Sequence, residues 1–216
     1  MKALSIIRPL ALAGALLGCG LAQANLIQNG SFETGANPGG SFIGPLGVGN
    51  TSIDDWAITV GTVDYIGGLW QHADGDRSID LVGTSLGTIN QTFATVLDQI
   101  YSVKFAMASN VAGGDNVKRL KAIAGDFNGD FSFDDTGKTN SDMGWTDKTF
   151  QFKAQGTQTT LSFAALNGEC CFGPALDNVR VELVDNQVPE PVSALLVGLS
   201  LASLGWSRRN RQRTAG

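Results

Sequence analysis

The chain has 216 residues, 43% of them apolar and 16% charged, with a net charge of −5. That is enough apolar mass for one domain with a real core. The acidity excludes a nucleic-acid reader, which needs a basic footprint. One histidine and three cysteines, two of them adjacent, exclude a tetrahedral zinc site.

The first segment is a targeting sequence. Lys2 and Arg8 give it a cationic start, Leu10 to Leu21 is apolar, and Ala22-Gln23-Ala24 fits the small-x-small cleavage pattern. Residues 1–24 are therefore expected to be a signal peptide for the Sec route. Leu16-Leu17-Gly18-Cys19 is a weaker alternative, a loose match to a lipid-attachment box. Residues 25–190 hold all 20 acids and nine of the 15 Lys and Arg, a balance of −11.

From Asn25 onward the pattern is β throughout. Short runs of alternating polarity are separated by Gly, Asn and Asp clusters. The expected strands start with Asn25–Glu33, followed by a glycine-rich loop over Gly35–Thr51. Trp56–Val60, Thr62–Ile66, Ser78–Val82 and Gly87–Phe93 come next. Tyr101–Ala108, Lys118–Ala124, Asp126–Phe133, Trp145–Lys153, Thr159–Ala165 and Leu176–Val184 complete the set. Asn128-Gly129, between Phe127 and Phe131, reads as a hairpin turn rather than as part of a calcium loop. No helical period or internal repeat is present. About ten short strands at this spacing predict an all-β, antiparallel β-sandwich of jelly-roll type over residues 25–187.

Trp70-Gln71-His72-Ala73-Asp74-Gly75-Asp76-Arg77 is the densest polar-aromatic stretch. A sugar site needs an aromatic face with hydrogen-bonding groups at its edge. Trp70, Gln71, Asp74 and Arg77 offer that chemistry, and a tight turn with Trp70 packed inward is the competing reading. Trp56 and Trp145 are assigned to the core. Catalysis finds little support. There is one His, no Gly-x-Ser-x-Gly elbow and no Cys-His pair, and the loop acids are expected in any acidic β protein. The chain is expected not to be an enzyme. Cys170 and Cys171 could form a vicinal disulfide, pair between chains or stay reduced.

The tail has three parts. Val188-Pro189-Glu190-Pro191 is followed by the apolar run Val192–Trp206 and then by Arg208, Arg209, Arg211 and Arg213. The prolines keep the entry extended. A run of 15 residues reaches about 22 Å as a helix, a marginal membrane span. The arginines belong on the cytoplasmic side, which leaves the domain exported.

Two resemblances follow from these residues. The tail, residues 188–213, resembles the PEP-CTERM sorting signal, with Pro189, Glu190, Pro191, Arg208, Arg209 and Arg211 as its marks. That implies an exosortase as processing partner, a transient membrane anchor through residues 192–206, and the surface or biofilm matrix of a Gram-negative bacterium. The opening Asn25-Leu26-Ile27-Gln28-Asn29-Gly30-Ser31-Phe32-Glu33 and the closing Gly173-Pro174-Ala175-Leu176-Asp177-Asn178-Val179 resemble galactose-binding-like sandwich modules. Ser78-Ile79-Asp80-Leu81-Val82-Gly83 and Met143-Gly144-Trp145-Thr146 resemble the choice-of-anchor C family. These likenesses imply a galactose-binding-like sandwich without established catalysis. They also imply a structural calcium ion, with Glu33 and Asp177 among its ligands. The expected function is polysaccharide binding at the cell surface, with a structural or adhesive role through protein contacts as the alternative.

Overall fold

A computed structural model describes residues 24–184. Eleven strands occur there: β1 Phe42–Gly47, β2 Ala57–Val60, β3 Thr62–Ile66, β4 Ser78–Asp80, β5 Thr88–Ala94, β6 Ile100–Ser109, β7 Val117–Ala124, β8 Phe127–Asp134, β9 Thr146–Lys153, β10 Gln158–Ala165 and β11 Pro174–Leu183. They form two antiparallel sheets. One has six strands in the order β1-β3-β4-β11-β6-β9, and the other five in the order β2-β5-β10-β7-β8. Among the described residues no helix is long and apolar enough to cross a membrane. The signal segment and the tail motif, Pro189, Glu190, Pro191, Arg208, Arg209 and Arg211 included, lie outside the described residues.

Alternation is what makes these strands. In β7 the residues Lys118, Leu120, Ala122 and Ala124 are buried, and their neighbours face outward. A strand buries every second side chain, so such a sequence has only one comfortable register. The inward residues of both sheets meet in one core. Val63, Tyr65, Ile79, Val103, Phe105 and Met107 come from the six-stranded sheet, and Ile58, Ile89, Leu120, Leu161 and Phe163 from the other. Phe105 links the layers edge-on, 4.9 Å from Phe163 and 5.1 Å from Phe131.

Three expectations are corrected. The opening segment is not a regular strand. It runs beside β11 through two backbone bonds, Leu26 N–H to the Val181 carbonyl and Val179 N–H to the Gly30 carbonyl, each 2.8 Å. The positive φ of Asn29 (49°) and Phe32 (59°) breaks its pleat. The glycine-rich loop contains β1, which pairs with β3 across a bulge at Gly44-Pro45. The β7–β8 hairpin turns at Gly125-Asp126, while Asn128 and Gly129 lie inside β8 opposite Ile123 and Ala122. Gly125, at φ 53°, holds the first central position, which suits the tight turn.

Candidate functional site

The β3–β4 connection, residues 67–77, carries every residue of the predicted polar-aromatic site, and it is pinned along its length. Trp70 is only 5% exposed, and its indole N–H donates to Ser78 Oγ at 2.9 Å. The Ser78 hydroxyl lies 2.9 Å from His72 Nδ1, and His72 Nε2 lies 2.7 Å from the Gly67 carbonyl. The Gly67 carbonyl can only accept, so Nε2 carries a proton, and the Ser78 hydroxyl is free to donate to Nδ1. Burial also pushes the His72 pKa below its ordinary value. The Ser78–His72 contact is no nucleophile, because Ser78 is fully buried.

Two carboxylates hold the next residues. Asp177 Oδ2 accepts the N–H groups of Ala73 and Asp74 at 2.9 and 3.0 Å. Glu33 Oε1 accepts those of Asp76 and Arg77 at 2.9 and 2.8 Å. A bulge in β11 at Asn178, φ 49°, re-aims Asp177 out of the strand alternation. Gly75, at φ 66°, suits the turn, and a Cβ there would come within 2.3 Å of Glu33 Oε1 and push that carboxylate off the loop. Asp177 is fully buried, and burial pushes its pKa up to about 7 against the pull of its N–H bonds. Both expected calcium ligands therefore converge on one loop, as the chain ends require. Each already accepts amide protons, so carbonyl oxygens would have to supply most of the six to eight ligands that calcium takes. Among the described residues, no group of three or more His, Cys, Asp and Glu side chains is set to hold a metal.

The four predicted ligand-binding residues separate. Trp70 is a core residue and offers no face to a sugar. Arg77 turns inward to the Tyr65 hydroxyl at 2.9 Å, its guanidinium 5.6 Å from the ring centre. Asp74 accepts the Ser31 hydroxyl at 2.7 Å. Gln71 does meet an aromatic, but a different one. Its carbonyl accepts the Trp145 indole N–H at 2.8 Å, and its side chain accepts the Met143 N–H at 3.2 Å. Gln71 thus fastens the segment before β9 and holds Trp145 at the lip of a cleft.

That cleft measures about 500 Å³ and is lined by Gln71, His72, Asp142, Trp145, Asp147 and Asn178 with Ala73, Ala106 and Gly144. Trp145 is half-buried, whereas Trp56 is 4% exposed with its indole N–H on the Asn29 carbonyl at 3.0 Å. Trp145 is thus the most exposed tryptophan among the described residues. Trp145 packs against the core only from its edge, next to the Gly144 turn at φ 64°. A larger groove of about 990 Å³ crosses the outer face of the five-stranded sheet beside Asp54, Asn90 and Thr92. Its only aromatic, Trp56, is core.

Residues 25–182 match the family described as "Protein of unknown function (DUF642)". Halomucin of Haloquadratum walsbyi (strain DSM 16790 / HBSQ001) is 31% identical over 182 residues, 82% of this chain. The chain spans about 2% of that relative's length. Among solved structures, TmCBM61 in complex with beta-1,4-galactotriose superposes with a TM-score of 0.51 at 14% identity, over 74% of this chain and 99% of that one. A family 16 carbohydrate binding module gives 0.47 at 15% identity, over 73% and 99%. At such identity the likeness is one of fold.

Proposed function

The chain belongs to the DUF642 family, and from that premise we propose that its sandwich binds polysaccharide without chemistry, at the Trp145 cleft. One observation carries the reading. An aromatic face is held rigidly by Gln71 beside two carboxylates and an amide, Asp142, Asp147 and Asn178. Stacking of a sugar ring on the indole, with carboxylates accepting its hydroxyls, is the chemistry this arrangement offers. No Lys or Arg lines the cleft itself, and the cations beside it are engaged, Lys104 with Asp147 at 2.8 Å and Arg180 with Asn178 Oδ1 at 2.9 Å. With a balance of −11 over residues 25–190, a neutral, hydroxyl-rich glycan is favoured over a polyuronate. The sandwich likeness to TmCBM61, solved with a galactotriose, supports this by fold alone.

The rest of the reading extends to the ends of the chain. The protein is exported, its tail is sorted by an exosortase, and the domain remains at the surface or in the matrix as a choice-of-anchor C protein. Calcium clips the chain ends through Glu33 and Asp177. A panel of neutral and acidic polysaccharides titrated into residues 25–187, followed by intrinsic tryptophan fluorescence, with Trp145→Phe as control, and by calorimetry, tests the binding. Saturable binding to a neutral glycan supports it. Concentration-dependent self-association with no glycan signal would replace it with the adhesive alternative.

A further inference from the structure

Cys170 and Cys171 are the central residues of a tight turn in the β10–β11 connection. The Phe172 N–H donates to the Glu169 carbonyl at 3.0 Å, and Cys171 sits at φ 72°, a conformation that β-turns usually reserve for Gly or Asn. Its neighbours hold it there. The Cys171 N–H donates to the Gly83 carbonyl at 2.6 Å, and its carbonyl accepts the Asn110 amide at 2.7 Å. The same amide donates to the buried Asp80 at 2.9 Å. The turn places the two sulfurs 2.9 Å apart, with Cys170 exposed and Cys171 half-buried. No other described residue is a cysteine, so each thiol has only the other within the fold.

We infer that Cys170 and Cys171 are a redox pair that closes to a vicinal disulfide, locking the turn that ties the β4–β5 and β6–β7 connections together. The oxidant is a small-molecule or protein disulfide. Cys170, the exposed thiol, gives its proton to solvent and attacks one sulfur of that disulfide, expelling the other as a thiolate. Cys171 then loses its proton to solvent and displaces the remaining oxidant sulfur from Cys170. Two cysteine S–H bonds and the oxidant's S–S bond become the ring S–S bond and two oxidant thiols. Cys171 is the slow partner. While both thiols are free, its hydrogen bond with the Cys170 sulfur, then burial, pushes the Cys171 thiol up to about 11, so Cys170 is the thiol that attacks first.

The test equilibrates the full chain in glutathione buffers from reducing to oxidising and traps thiols by alkylation. The tryptic peptide from Ala154 to Arg180 carries both cysteines and no other. In the oxidising limit it should be monomeric, unalkylated and lighter by two hydrogens than the reduced peptide, which takes two alkyl groups. Backbone exchange at Asn110 and Cys171 should slow on oxidation. With Cys171→Ser, Cys170 should end as a glutathione adduct. Two free thiols, a stable glutathione adduct on the unaltered chain, or a cysteine-linked dimer would overturn the pair. Unchanged exchange in a ring-closed chain would overturn the lock.

Discussion

Trp70 and Trp145 show how far one side chain's role depends on where its polar edge finds a partner. Trp70 donates to buried Ser78, whereas Trp145 donates to a backbone carbonyl at a cleft. Trp145→Ala is expected to weaken glycan binding about tenfold or more, roughly 1.4 kcal/mol, and to lower the melting temperature less than Trp70→Ala does. Trp70→Ala is expected to cost about 3–5 kcal/mol of stability through the cavity it leaves. Calorimetry beside thermal melts separates the two. Asp64 and Asp80 lie opposite each other across β3 and β4 and are 6% and 0% exposed. Asp64 Oδ1 has no hydrogen-bond partner. Burial pushes Asp64 up to about 6 and Asp80 up to about 7. Their folded pKa values exceed the unfolded value of about 4, so the folded state holds extra protons between these limits. Stability is therefore expected to fall as pH rises from about 4 through 7. Asp64→Asn should raise the melting temperature at pH ~8 and change little at pH ~4, because the removed cost exists only when the acid is ionised. A flat profile in the parent protein would contradict this account.

At the scale of elements, loops in this protein are fixed by single side chains that reach them from strands. Lys118 faces inward from β7, is fully buried, and donates to the carbonyls of Gly113 and Asp115 in the β6–β7 connection. Lys118→Met keeps most of the aliphatic stem but removes those donors. The expected loss is about 1–3 kcal/mol, with faster amide exchange confined to residues 110–116. Exchange that stays slow there would mean other contacts hold the loop. The same logic explains the strands that pattern reading placed well. β3 coincides with the expected Thr62–Ile66, and β5 to β11 fall within two residues of expectation, because alternation is written locally. β1 escaped because its burial pattern is mostly exposed, so no alternation marks it. Pattern reading put the β7–β8 turn at Asn-Gly, a strong local preference. The phenylalanines overrode it, with Phe127 stacked on Phe150 at 4.0 Å and thus committed to the strand.

For the whole molecule, the two ends of the domain meet. Asn25 accepts the Val181 N–H at 2.9 Å, and Glu33 and Asp177 grip the same loop from opposite ends of the chain. If calcium completes this junction, millimolar calcium should raise the melting temperature by about 5–10 °C and EDTA should reverse it. An unchanged melt in both would remove the ion from the account. The mass of the protein recovered from culture should show removal of residues 1–24 and cleavage near Pro189. An uncut chain would remove the sorting reading and leave the glycan cleft untouched.

The amino-acid sequence by itself determined the class of fold and most strand positions. Period-two burial and turn chemistry are local. Only the tertiary structure decided which tryptophan reaches solvent, that Arg77 turns inward, and that Asp64 and Asp80 share a buried face. Those outcomes depend on loops packed against distant strands, where one bulge or one positive φ redirects a side chain and leaves no period behind.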